Sequence, residues 1–358
     1  MMIIGYDARL IKENRTGTST MQEYLLNHLV KEYENCQFFI FGKIDSLRKY
    51  EQYPNVEVVN VKEKKSQLWE QVVLPFYILS KKIDIFYSAK NLTVPLLYKH
   101  KTICTILDLI PYHFPQIYFK SKLKKIYYMI LLKLSSRAKA IVTISLFSVE
   151  DIKKVCSNTT YVYKIPLGVE RVSIKPTNKR LNFPYFFSVG GAEPRKNIQT
   201  LITAFQKFKD KGFSHKLVIV GGEEWNGYKL DIPTSLVEDI LVYNYVEDEK
   251  FQELIQYATA FIFPSMFEGF GLPVLEAMVY DRPTIVANNT SLKEIYSKYS
   301  IMVETMDPQS YVNAMVRLAT EPESIDTNYT ELLKRYNWSN SARALMEVIE
   351  EEFLRKGN

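Results

Sequence analysis

The chain is poor in cysteine. Its three, Cys36, Cys104 and Cys156, are scattered and odd in number. That excludes a disulfide framework, and their spacing fits no metal site, so they read as reduced core thiols. No apolar run approaches the ~18 residues of a membrane-spanning helix. Met1 to Asp7 contain no basic segment and no cleavage pattern of a secretory signal. The expected location is therefore the cytosol or the cytosolic face of a membrane. No Asp-x-Asp triplet is present to chelate a divalent ion. No G-x-G-x-x-G follows the first apolar run, so a dinucleotide fingerprint is missing.

What is present describes a folded protein of two domains. At 358 residues the chain exceeds one ordinary core. Charge is uneven: residues 1–166 hold 25 Lys and Arg against 14 Asp and Glu, about +11, and the remainder is slightly acidic. A basic first half is suited to an anionic surface. Short apolar runs alternate with helical patterns: Met2–Tyr6, Met21–Val30, Gln37–Phe41, Val56–Val59, Leu68–Leu79, Ile83–Tyr87 and Thr102–Leu107, and later the strands Lys216–Val220 and Ile240–Tyr243 and a helix Asp248–Tyr257 with Asp248 as its cap. This alternation predicts an α/β fold with parallel, doubly wound sheets, whose ligands sit at the carboxyl ends of strands.

The most informative stretch runs from Phe263 to Met278. A buried strand, Ala260–Phe263, leads into a loop with Gly269 and Gly271, and a helix with Pro273 in its first turn follows. Glycines allow close backbone approach, and helix-start N–H groups attract an anion. Glu268 and Glu276 frame the loop, and carboxylates suit hydroxyl donors. A ligand with phosphate in its middle and polyols at both ends has the matching shape. A second such unit is Tyr185–Val189, Gly190-Gly191, then Arg195 and Lys196 before a helix over Ile198–Phe208. Arginine grips phosphate oxygens bidentately and lysine adds a point charge.

The spacing of Glu268 and Glu276 and the Gly-Phe-Gly-Leu-Pro core closely resemble the E-x7-E signature of retaining glycosyltransferases with the GT-B fold. The resemblance extends over nearly the whole chain and is strongest at residues 185–205 and 260–295. It implies two Rossmann-like domains facing across a cleft: residues 1–170 for the acceptor, and residues 171–340 for a nucleotide-sugar donor. A C-terminal helix over 341–358 would pack back on the first, and 171–182 would be the linker. It further implies that Glu268 contacts the donor sugar, and that Phe270, Gly271 and Leu272 offer N–H groups to sugar and diphosphate. Glu276 would hold the ribose, Arg195 and Lys196 would neutralise the diphosphate beside Gly190 and Gly191, and Tyr245 and Val246 would face the nucleobase. On the acceptor side, the loop Asp7–Thr20 with Arg9, Arg15 and Gly17 would face the donor, and Asp108 would lie at a strand end. Many relatives carry histidine just before this aspartate, where this chain has Leu107; His113 is the nearest substitute and reads as an ordinary loop residue.

The activity implied is transfer of a hexose with retention at the anomeric carbon, with GDP-mannose the first donor and dTDP-rhamnose or a UDP-hexose next. The acceptor would be a glycan, lipid-linked, in bacterial surface polysaccharide assembly. With cations and a helix start available for the diphosphate, no metal and no cofactor are expected. A non-catalytic GT-B subunit or a sugar epimerase is the alternative. Residues 117–139 carry lysines among tyrosines and aliphatics, and no Asp or Glu occurs from Leu109 to Val149. That pattern suits an amphipathic helix on an anionic membrane. No nucleic-acid motif accompanies the charge, so no nucleic-acid partner is expected.

Overall fold

The computed structural model describes residues 1–11, 17–61, 68–156, 161–170, 180–322 and 326–355. Arg15 and residues 171–179 of the expected linker lie outside the described residues. The chain divides into two compact units. One is Met1–Gly168 with Tyr336–Asn358, and the other is Val169–Arg335.

In the first unit, seven parallel strands line up as β3-β2-β1-β4-β5-β6-β7. They are β1 (Ile3–Asp7), β2 (Gln37–Gly42), β3 (Val56–Asn60), β4 (Ile85–Ser88), β5 (Thr102–Thr105), β6 (Ala140–Thr143) and β7 (Val162–Lys164). Strand direction of growth reverses between β1 and β4, which pair at Ile4↔Ile85 and Tyr6↔Tyr87. Side chains alternate between two cores, as the period of two demands. Phe38, Ile40, Ile85 and Ile103 pack under the helices Gly17–Glu32 and Trp338–Leu354. Phe39, Phe41 and Phe86 turn the other way, onto Trp69, Leu74 and Ile78. On that same face Cys104 and Ile141 meet Leu132 and Ile152. The C-terminal helix is held by Trp338 stacked on Tyr24 at 5.4 Å. Its start is capped by Asn337, which accepts from the Asn340 N–H.

The second unit holds six parallel strands in the order β12-β9-β8-β13-β14-β15. They are β8 (Tyr185–Val189), β9 (Lys216–Val220), β12 (Ile240–Tyr243), β13 (Ala260–Phe263), β14 (Thr284–Ala287) and β15 (Ile301–Val303). A hairpin of β10 (Glu224–Trp225) and β11 (Tyr228–Lys229) stands apart from that sheet. Here the reversal falls between β8 and β13.

Three expectations need correction. The helix expected over Leu68–Leu79 contains a π-helical turn, Trp69–Val73, before Leu74–Ser80. Pro75 explains it: the ring has no N–H and crowds the carbonyl four residues back, which widens the preceding turn. The single helix expected over 117–139 is broken into Pro115–Tyr118 and Lys122–Ser135. Ser121 sits extended between them and caps the second helix, accepting from the Lys124 N–H. The helix start expected with Asp248 as cap begins one residue earlier: Glu247 occupies the cap position and Asp248 is already helical.

Candidate functional site

The site is built on two adjacent strands. β8 and β13 pair side by side, and Ser188 Oγ donates to the Ile262 carbonyl at 2.7 Å. After β8 the chain passes Gly190 and Gly191, then a 3-10 turn, Pro194–Lys196, and reaches the helix Ile198–Lys209. Gly191 has φ +53°, and a Cβ there would run into the carbonyl oxygens of Gly221 and Gly222. Only glycine lets these two backbones meet. After β13, Pro264 to Gly271 form the second loop, and the helix Leu272–Val279 follows. Gly271 turns into that helix at φ +88°.

Glu268 is buried at the centre. Its Oε1 accepts from Arg195 Nη1, Lys196 Nζ and Ser265 Oγ, each at 2.7 Å. Burial alone would raise this carboxyl, but the charges of Lys196 and Arg195 and their hydrogen bonds outweigh it and hold the group at about 2. Glu268 is a fixed anion at any physiological pH. The Arg195 guanidinium also donates from Nη1 to the Phe267 carbonyl at 2.7 Å and from Nε to Glu193 at 2.9 Å. Lys196 Nζ lies 4.9 Å from the centre of the Phe263 ring. The two loops are thus tied by charge and by backbone, since the Met266 N–H also donates to the Arg195 carbonyl.

A polar clamp reinforces the tie. Asn197, at φ +58°, donates to the Pro264 carbonyl at 3.1 Å and to the Thr305 carbonyl at 2.8 Å. The Glu268 N–H donates to Thr290 Oγ1 at 3.3 Å, and Ser291 Oγ donates to the Glu268 carbonyl at 2.8 Å. Sequence reasoning assigned no role to Ser265, Asn197, Thr290 or Ser291. The one visible signal was the polar run Asn288 to Ser291 directly after β14.

Of the other expected residues, Glu276 is half-buried on the following helix. Burial, helped by the carboxylate of Asp248, pushes its carboxyl up to about 7. Phe270 is buried against Tyr296, whose hydroxyl donates to the Gly271 carbonyl at 3.0 Å. Leu272 is the first residue of the helix. Tyr245 stands 72% exposed beyond the end of β12, next to the half-buried Val246. Gly17 and Asp108 belong to the first unit. Gly17 is exposed at the start of its helix, with open space around it. Asp108 follows β5, and its Oδ1 accepts from the Ile110 N–H at 3.1 Å. His113 Nε2 lies 2.9 Å from both carboxylate oxygens of Asp151.

The first unit has a charged cluster that sequence reading did not assemble. Asp7, fully buried at the end of β1, takes Arg9 Nε at 2.8 Å and Nη2 at 2.7 Å. Arg9 Nη2 also reaches Glu70 Oε1 at 3.0 Å, which accepts from Lys90 Nζ at 2.9 Å. The guanidinium lies 4.2 Å above the Trp69 ring.

Two doubly wound parallel sheets, the second with cations and a glycine loop at its reversal point, define the class by fold: GT-B. Residues 170–344 match the model of the family "Glycosyl transferases group 1". It is 27% identical over 275 residues to the O-antigen chain mannosyltransferase RfbU of Salmonella typhimurium, covering 74% of each chain. It is 31% identical over 166 residues to the O-antigen chain mannosyltransferase B of Escherichia coli, covering 44% of this chain and 43% of that one. The fold is similar to that of a sucrose-phosphate synthase from Thermosynechococcus elongatus. The TM-score is 0.73 at 14% identity, covering 99% of this chain and 100% of the other. Among the described residues no cluster of His, Cys, Asp and Glu could hold a metal ion.

Proposed function

We propose that this protein transfers a hexose, mannose from GDP-mannose in the first instance, onto a glycan with retention at the anomeric carbon and without a metal. One observation carries the reading: Arg195, Lys196 and Glu268 converge at the carboxyl ends of β8 and β13. That is the reversal point of the sheet, where open α/β sheets bind their ligands. A leaving nucleoside diphosphate gains negative charge in the transition state. Fixed cations and helix-start N–H groups beside it stabilise that charge without reorganising. Lys196 is the direct phosphate partner, whereas Arg195, engaged with Glu193, Ser265 and the Phe267 carbonyl, mainly fixes the loop and its potential. Glu268 orients the donor sugar rather than attacking it. With no nucleophile assigned to the far side of the sugar, attack comes on the leaving-group face, and the departing phosphate accepts the acceptor's proton. Glu276 holds ribose hydroxyls, and its carboxyl near 7 accepts or donates as the ligand requires.

The relatives named as O-antigen chain mannosyltransferases support mannose as the sugar and a bacterial surface polysaccharide as the acceptor; that the acceptor is lipid-linked is part of the proposal. Docking of residues 117–139 on the inner face of an anionic membrane completes the reading. The helix Lys122–Ser135 exposes Leu123 at 78% beside Lys122, Lys124 and Lys125. Among the described residues no helix is long and apolar enough to cross a membrane.

The test is transfer from GDP-mannose in excess chelator, with the product anomer read by NMR. Retained configuration with full activity is expected. An inverted product contradicts the mechanism, and a chelator-dead enzyme contradicts metal independence.

A further inference from the structure

The first unit has a second apolar surface besides the helix Lys122–Ser135. Leu68, Val72, Phe76 and Leu79 recur at spacings of four, four and three, so they form one ridge. All four are exposed, Phe76 and Leu79 at 67% each. Their neighbours Trp69, Leu74 and Ile78 point inward, onto Phe41 and Phe86. The 3-10 segment Leu96–Lys101 packs beside this helix and adds Leu97, 72% exposed. The same segment meets the connection between the lysine-rich helix and β6, since the Lys139 N–H donates to the Lys99 carbonyl at 2.9 Å.

All three elements cover one face of the sheet, because strand residues of matching parity, Phe86 and Cys104, point at them. That face is chemically distinct from the other. Between Gln71 and Val149 the sequence has twelve Lys and Arg and two acids, Asp84 and Asp108. Both acids accept backbone N–H groups of the fold, from Ile3 and Ile110. The opposite face is covered by the helices Gly17–Glu32 and Trp338–Leu354, and the second of these exposes Glu347, Glu350 and Glu351. One face of the unit is therefore predominantly basic with apolar ridges, although its helix Leu146–Val155 adds Glu150 and Asp151 beside Lys153 and Lys154, and the other carries carboxylates with Lys31 and Arg343 among them.

We infer that the ridge Leu68–Leu79, with Leu97, is a second insertion element, and that the protein lies on an anionic bilayer through this whole face rather than through residues 117–139 alone. The inference rests on the membrane reading above and extends it. Charge selects the occupant. Exposed Lys82 and Lys99 border the new ridge as Lys122 and Lys125 border the old one. Apolar side chains enter the acyl boundary while lysines stay at the headgroups. The carboxylates of the opposite face orient the unit by repulsion.

The experiment is vesicle flotation of the full chain with phosphatidylglycerol–phosphatidylethanolamine vesicles, and with phosphatidylcholine alone. Two variants are compared with wild type: Phe76→Ser with Leu79→Ser, and Lys122→Glu with Lys124→Glu and Lys125→Glu. Because Phe76 and Leu79 are exposed, an unchanged thermal transition is expected, and Leu97→Ser serves as an independent ridge variant. Wild type should float only with the anionic vesicles, and the ridge variant should lose about tenfold or more in apparent affinity. If the ridge variants float like wild type while the charge-reversed variant sinks, the inference is overturned and docking through 117–139 stands. If neither variant sinks, both are overturned. Equal flotation of wild type with phosphatidylcholine overturns the charge argument. A ridge variant that lowers the protein's mass in vesicle-free solution marks the ridge as a contact between copies, which also overturns it.

Discussion

Each unit places a charged cluster at the carboxyl ends of the two strands where its sheet reverses, yet the clusters differ in kind. At β1 and β4, Asp7 and Glu70 face Arg9 and Lys90, and Arg9 is forked onto Asp7 and stacked on Trp69. At β8 and β13, Glu268 draws both cations to one oxygen, and the glycine backbone of residues 190 and 191 lies alongside. The first cluster pins a loop by a bidentate, aromatic-capped pair. The second is also balanced in charge, Glu193 and Glu268 against Arg195 and Lys196, and what it adds is close-approach glycine backbone beside the cations. On the function proposed here, opposite charges at a sheet reversal do not alone mark a ligand site, and the accompanying backbone separates the two cases.

That contrast can be broken in several ways. The largest effect is expected from Arg9→Ala, which leaves Asp7 buried without its forked partner. Removing one member of a buried pair costs about 3–5 kcal/mol, read by urea unfolding, and nucleotide affinity of the second unit should be unchanged. Next comes Glu268→Gln. Its transfer rate should fall about a hundredfold or more, the scale for removing one preorganised transition-state group, while the variant still binds nucleotide. A variant that transfers normally would move Glu268 from the chemistry to the scaffold.

The paired glutamates sharpen the comparison through pH. Glu268 titrates at about 2 in the fold, below its ordinary 4.5, so the stability it contributes is present above 4.5 and is lost as pH falls towards 2. Glu276, raised to about 7, works in the opposite sense. The folded state holds its proton longer than the unfolded chain does, so stability declines as pH rises from 4.5 to about 7. Glu276→Gln should flatten the thermal transition temperature across that window. The smallest effect is expected at Gly17→Ala, where open space surrounds the new methyl. A change within about 0.5 kcal/mol is predicted.

Much of this fold could be read from the chain. Tyr185–Val189, Lys216–Val220, Ile240–Tyr243 and Ala260–Phe263 were delimited to the residue. Parallel strands buried on both faces show as short apolar runs, and polar residues close them. Arg195, Lys196 and Glu268 were each singled out from local pattern. Their shared contact was not legible, because it joins positions 72 and 73 apart in sequence. The same applies to Asn197 reaching Thr305, and to Arg9 reaching Glu70. The hairpin Glu224–Lys229 and the helix Thr290–Tyr296 were missed because each is short and its apolar pattern has too few residues to show a period. The π turn at Trp69 was hidden for another reason: Pro75 widens a helix without ending it.

The most direct measurement is a thermal-shift titration of wild type and Lys196→Ala with GDP, UDP, dTDP and ADP. A ligand at 100 times its dissociation constant adds about 2.7 kcal/mol of stability. The account predicts a clear shift of wild type with one nucleotide, GDP first, and its loss or strong reduction in Lys196→Ala. If no nucleotide moves the transition, or if Lys196→Ala shifts as far as wild type, the pair of loops after β8 and β13 is not the donor site.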